Sequence, residues 1–90
     1  AEAVLKKFPV SDETIQGQED VYYRVQTGAF HDRKNAVQQQ ERLVEEGFPA
    51  FILERDGYYV VQVGAFWKLE NAVRMEALLR ENGYQTYITM

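Results

Sequence analysis

The chain is predicted to fold as an α+β domain in the order βαββαβ, with a four-stranded antiparallel sheet and two helices on one face. Three observations lead there. Residues 22–53 and 58–89 align without a gap at a constant offset of 36, so that YYRVQTGAF recurs as YYVVQVGAF and Asn35-Ala36-Val37 as Asn71-Ala72-Val73. Leu43, Glu45, Gly47 and Ile52 return as Leu79, Glu81, Gly83 and Ile88. Each copy reads as strand, helix, strand. With both crossovers right-handed, two such halves close most economically into one sheet of strand order 4-1-3-2. Strands one and three then lie side by side in the middle, related by an approximate two-fold axis.

Each element follows from its residues. Residues 1–20 stand outside the repeat: AEAVLKKF reads as a helix tail with Ala3, Val4 and Phe8 apolar, and PVSDETIQGQED as an acidic linker punctuated by Pro9 and Gly17. The folded domain is expected over 21–90. Residues 22–27 are aromatic and β-branched, as a strand requires, and Gly28-Ala29-Phe30 is expected to end it. Asp32 is placed to cap a helix running to about Glu46, with Gly47 as its stop. Ala36, Val37, Leu43 and Val44 are assigned to its buried face, which Gln40 interrupts. Pro49 opens a second strand over 50–54, and Arg55-Asp56-Gly57 makes a hairpin turn. The second copy gives a strand over 58–63, a helix over about 69–82 stopped by Gly83, and a strand over 85–89. Its buried positions are Ala72, Val73, Leu79 and either Met75 or the stem of Glu76. Lys68 stands where Asp32 stood, so this helix start is weaker or shifted. The arrangement is the ferredoxin-like, or RNP-type, topology.

The totals narrow the class. Ninety residues make one domain, and 46% apolar content with six Tyr and five Phe supports a folded core. Cysteine is absent, which removes disulfides and thiolate metal sites. No apolar run is long enough to span a membrane, and no secretion signal is visible, so a signal is expected on a longer parent chain. The net charge of −4 argues against nucleic acid and anionic membrane surfaces as partners.

Strand alternation selects the candidate site. Tyr23, Val25 and Thr27, with Tyr59, Val61 and Val63, form the more apolar set and belong under the helices. The open face then presents Tyr22, Arg24, Gln26, Tyr58, Val60 and Gln62. Aromatic rings stack on sugar faces and amides both donate and accept hydrogen bonds, so this surface suits a sugar chain. In the outer strands Ala50, Ile52, Thr86 and Ile88 are assigned to the same open face, with Phe51 and Tyr87 in the core.

The block Tyr-x-Val-Gln-x-Gly-Ala-Phe, present as Tyr23–Phe30 and again at 59–66 and followed each time by Asn-Ala and a glycine-stopped helix, resembles the SPOR (sporulation-related repeat) family over 21–90. The resemblance implies a non-catalytic module that binds bacterial peptidoglycan. Its partner would be glycan strands lacking stem peptides, and its place the cell envelope, at the division septum or in sporulating cells. The resemblance implies Gln26 as the strand-one glutamine, Tyr58 as the aromatic of strand three and Ile88 as the apolar residue of strand four. Ala29 stands where serine is frequent. Val60 stands where some members carry a basic residue, and Arg24, at the pseudo-symmetric place, is assigned the pairing with a muramic acid carboxylate. The parent is expected to be a cell-wall hydrolase, since AEAVLKKF resembles the last helix of a muramoyl-alanine amidase.

Other readings are weaker. An RNA-binding RNP-type domain would carry a basic, glycine-aromatic signature that is missing here. An enzyme would need a nucleophile–base pair or metal cluster, and neither is evident: His31 is the only histidine, with Trp67 at its counterpart. No cofactor, metal or catalytic residue is expected, and the domain is expected to act as a monomer. Asn35 and Asn71 are assigned a shared structural hydrogen bond near the helix start. A protein–protein adaptor using the open sheet face is the alternative function.

Overall fold

The computed structural model describes residues 23–90. The helix tail and linker expected over 1–20, and Tyr22, lie outside the described residues. The elements are β1 (Tyr23–Phe30), α1 (Arg33–Glu45), β2 (Phe51–Arg55), β3 (Tyr58–Phe66), α2 (Leu69–Glu81) and β4 (Tyr87–Thr89). All strand pairs are antiparallel and the sheet order is β2-β3-β1-β4, which is the order expected from the sequence read from the other edge.

The core lies between sheet and helices. Ala36 and Leu43 of α1 and Ala72, Met75 and Leu79 of α2 join Val25, Val61 and Val63 in one buried cluster. Val61 and Val63 project to the same side of β3, so both helices cover one face of the sheet. Fully burying each of these larger side chains contributes about 1.5–3 kcal/mol. The expected helix faces need one correction. Val44 and Val73 are exposed, because each lies about 100° around the helix from the buried stripe that Leu43 and Ala72 define. Gln40 interrupts the α1 stripe and donates from Nε2 to the Ala50 carbonyl at 3.1 Å. Asp32 and Lys68 both occupy the N-cap position, and neither makes a side-chain capping bond. The shared bond near each helix start is made by the backbone: the Asn35 and Asn71 N–H groups donate to the carbonyls of Asp32 and Lys68, both at 3.1 Å.

The strands do not stop at Gly28 or Gly64. β1 and β3 continue to Phe30 and Phe66 through irregularities on either side of the central Gln26–Gln62 pair. On β3 three steps, Gln62 to Ala65, match the two steps from Gln26 to Arg24; on β1 two steps, Gln26 to Gly28, match one on β3. Each bulge shifts the alternation by one residue. Ala29 and Ala65 therefore reach the open face, and Phe30 and Phe66 turn to the helix side. The glycine before each phenylalanine gives its ring room to lie on the backbone. A Cβ on Gly64 would stand 2.9 Å from the Phe66 ring, at a φ of +127° that side-chain-bearing residues rarely adopt.

The helix ends set the parity of the outer strands. In α1 the N–H groups of Gly47 and Phe48 donate to the carbonyls of Val44 and Leu43 at 3.0 and 2.8 Å. In α2 those of Gly83 and Tyr84 donate to Arg80 and Leu79 at 3.0 and 3.1 Å. This pattern folds the residue after the glycine back onto the helix, and Phe48 and Tyr84 are buried accordingly. Counting on by twos, Ala50 is buried and Ile52 and Ile88 pack against the core. The expected outer-strand assignment is therefore inverted. Phe51 and Tyr87 leave the core, and Ile88 pairs with Val25 on the helix side instead of lining the open face.

Candidate functional site

The open face is organised by one row that crosses all four strands. Phe51 of β2 pairs with Gln62 of β3, Gln62 with Gln26 of β1, and Gln26 with Tyr87 of β4. Residues paired across antiparallel strands share a face, so the row reads Phe51–Gln62–Gln26–Tyr87. The two glutamines are buried, at 4% and 8% exposure, and Gln26 Nε2 donates to Gln62 Oε1 at 3.3 Å. The flanking rings are the accessible part: Phe51 is 38% and Tyr87 51% exposed. The Tyr87 hydroxyl donates to Gln85 Oε1 at 3.0 Å, which holds the ring at the edge of the face.

The other expected residues fall around this row. Arg24 pairs with Ala65 on one side and Thr89 on the other, on the open face and partly buried. Val60 lies on the same face between Leu53 and exposed Ala29, and is buried. Tyr58 stands at the hairpin end, exposed, with the His31 ring tilted against it at a centroid distance of 4.5 Å. A groove of about 370 Å³ runs beside the row, lined by Gln26, Gly28, Ala29, Tyr87 and Thr89. Arg24, Gln26, Tyr58, Val60 and Gln62 share this face as strand alternation placed them, and Ala29 joins them through the bulge after Gln26. Ile88 is not among them, and Tyr22 lies outside the described residues.

Phe51 and Tyr87 are the residues that the sequence reading missed. The signal for them is the glycine stop of each helix. The apolar residue after that glycine must touch the last helical turn, which fixes the parity of the strand that follows.

Such a face offers paired amides between two aromatic rings and a guanidinium at one side. It can stack on weakly polar rings and exchange hydrogen bonds with hydroxyl and amide groups. Among the described residues no group of three or more His, Asp and Glu could hold a metal ion, and no helix is long and apolar enough to cross a membrane.

The family model of the SPOR domain matches residues 1–54, more than half of the chain. The chain belongs to the SPOR domain family. The solved structure of the peptidoglycan-binding domain of the B. subtilis cell wall lytic enzyme CwlC is similar to it, with a TM-score of 0.71 and 30% sequence identity. That match covers 83% of this chain and 96% of the CwlC domain. A comparison with curated proteins finds no match. In this SPOR domain the Tyr-x-Val-Gln-x-Gly-Ala-Phe block supplies both faces of the sheet, its glutamines to the open face and its phenylalanines to the helix side.

Proposed function

We propose that this SPOR domain binds the glycan strands of peptidoglycan on the open face of its sheet and prefers strands from which stem peptides have been removed. The observation that carries this reading is the row of two exposed aromatic residues around a hydrogen-bonded glutamine pair. Family membership and the likeness to a peptidoglycan-binding domain support it. The domain itself is a non-catalytic binding module. Phe51, Tyr87 and Tyr58 stack on sugar rings, and Gln26 and Gln62 set the polar floor between them. Removing a stem peptide leaves a free lactyl carboxylate on the sugar, which a guanidinium pairs with through two parallel hydrogen bonds. Arg24 is assigned that role, and Arg24→Ala is expected to lower preference for processed glycan more than overall affinity. The two repeats act as halves of one βαββαβ unit, since the 36-residue offset exchanges Gln26 with Gln62 and Phe51 with Tyr87.

The setting that follows is the bacterial cell wall. The domain, as a monomer, delivers a parent hydrolase to amidase-processed glycan at the septum or during sporulation. Cosedimentation with purified sacculi before and after amidase digestion tests this. Binding should rise after digestion and fall in Phe51→Ala/Tyr87→Ala, whose two exposed rings can be lost without opening the core. Equal binding to both preparations would refute the preference. No binding to protein-free glycan would move the function to a protein partner.

A further inference from the structure

The two repeats carry the same backbone pattern but line it differently. Around the end of β1, Thr27, Gln39, Arg42, Tyr84 and Gln85 surround Phe30 in an open groove of about 380 Å³. At an offset of 36 these positions are Val63, Met75, Leu78, Phe48, Pro49 and Phe66. Every polar group of the first set is apolar in the second. Val63, Met75 and Phe66 are fully buried, Phe48 nearly so, and Leu78 packs on the core, so that this end is filled. Packing alone therefore does not call for the polar set, because the same chain closes the equivalent place with hydrocarbon. Burying a hydroxyl and an amide instead is unfavourable unless they are bonded. Thr27 is 4% exposed and its hydroxyl donates to Gln39 Oε1 at 2.7 Å, which fixes the amide and leaves its Nε2 donors to the groove. The Tyr84 hydroxyl donates to Glu46 Oε1 at 2.9 Å, and the exposed Arg42 guanidinium lies over the Tyr84 ring, 5.1 Å from its centroid.

This groove adjoins the sheet-face site. It shares Gly28, Ala29 and Tyr87 with the groove beside the aromatic row. On its far side it shares Phe30, Gln39 and Arg42 with a third hollow, where Asn35 and Gln38 extend the amide lining along α1. A path thus leaves the sheet at Ala29, turns past the end of β1 and follows one face of α1.

We infer that the bound sugar chain continues along this path, and that the polar groove is a second subsite for the next sugars of the same strand, with Arg42 receiving a carboxylate. The inference rests on the sheet-face reading and extends it. Amides match the hydroxyl and acetamido groups of such a chain, a guanidinium held against a ring matches its carboxylates, and the Phe30 ring offers a stacking face. A four-stranded sheet is only about 14 Å across at ~4.8 Å per strand spacing, so a longer strand must leave the sheet or take the groove.

The test is titration calorimetry with stem-peptide-free glycan of two lengths, a tetrasaccharide and an octasaccharide. The wild-type domain should bind the longer chain at least about tenfold more tightly. Arg42→Ala, and the triple variant Thr27→Val/Gln39→Met/Arg42→Leu, should keep the tetrasaccharide affinity and lose that gain. The triple variant copies the lining that the second repeat already folds with, and Arg42→Ala changes an exposed side chain, so loss of the fold does not imitate the result. A variant that retains the full gain overturns the second subsite and leaves the sheet-face reading standing. A wild-type domain that binds neither length overturns both.

Discussion

The two Gly-Ala-Phe segments have the same sequence and different surroundings. Phe66 is fully buried in the same core cluster as Met75, whereas Phe30 is half-buried and lines an open groove. Gly64 sits at a φ of +127°, and Gly28 lies outside the left-handed region. The difference teaches that a duplicated sequence can keep one backbone plan and divide the work. The second repeat closes the core, and the first holds polar groups at the matching place.

That comparison can be broken by matched substitutions. Phe66→Ala should cost about 3–5 kcal/mol in urea unfolding, as for a large buried aromatic, and Phe30→Ala less than half as much. Equal losses would show that the two ends pack alike. Gly64→Ala should be next, at about 2–3 kcal/mol, because the added Cβ meets the Phe66 ring at a backbone angle that strains any side chain. Gly28→Ala should cost about 1 kcal/mol, since its Cβ would stand 3.0 Å from the ring of Phe30, which has room to turn toward the groove. Giving the first repeat the lining of the second, Thr27→Val/Gln39→Met, should leave the unfolding free energy within about 1 kcal/mol of wild type. A loss of several kcal/mol would mean that the polar pair holds the fold, not a ligand.

The smallest effect is one of pH. Burial, then the hydrogen bond that Tyr84 gives Glu46 and that carboxylate's charge, raise the Tyr84 phenol above the ordinary tyrosine value, while Arg42 opposes them. The folded state then holds the phenolic proton more tightly than the unfolded state. Stability from this group is complete below about pH 10 and is lost as pH rises toward the folded value. Tyr84→Phe, which copies Phe48, should flatten the alkaline limb of a stability–pH curve. An unchanged limb would assign it to other groups.

Much of this was legible in the sequence. Strand order, the helix stops at Gly47 and Gly83, and the inward set Val25, Val61 and Val63 follow from the repeat, the glycines and the period of two. The site was legible where it rests on the central strands. Arg24, Gln26, Tyr58, Val60 and Gln62 share a face because alternation from Tyr23 and Tyr59 is unbroken as far as the bulges. The outer strands failed on a single residue of parity. Gly28 and Gly64 read as breaks because a bulge has no period of its own.

By itself the sequence determined the duplication, the order of elements and the amide-bearing centre of the face, because those depend on local spacing. Only the tertiary structure decided that Phe51 and Tyr87 flank the glutamine pair, that Ile88 belongs to the core, and that Thr27, Gln39 and Arg42 meet at the end of β1. Those outcomes depend on how a helix end hands its chain to the next strand and on which distant residues the bulged strands bring together. Neither is a property of neighbouring residues in the chain.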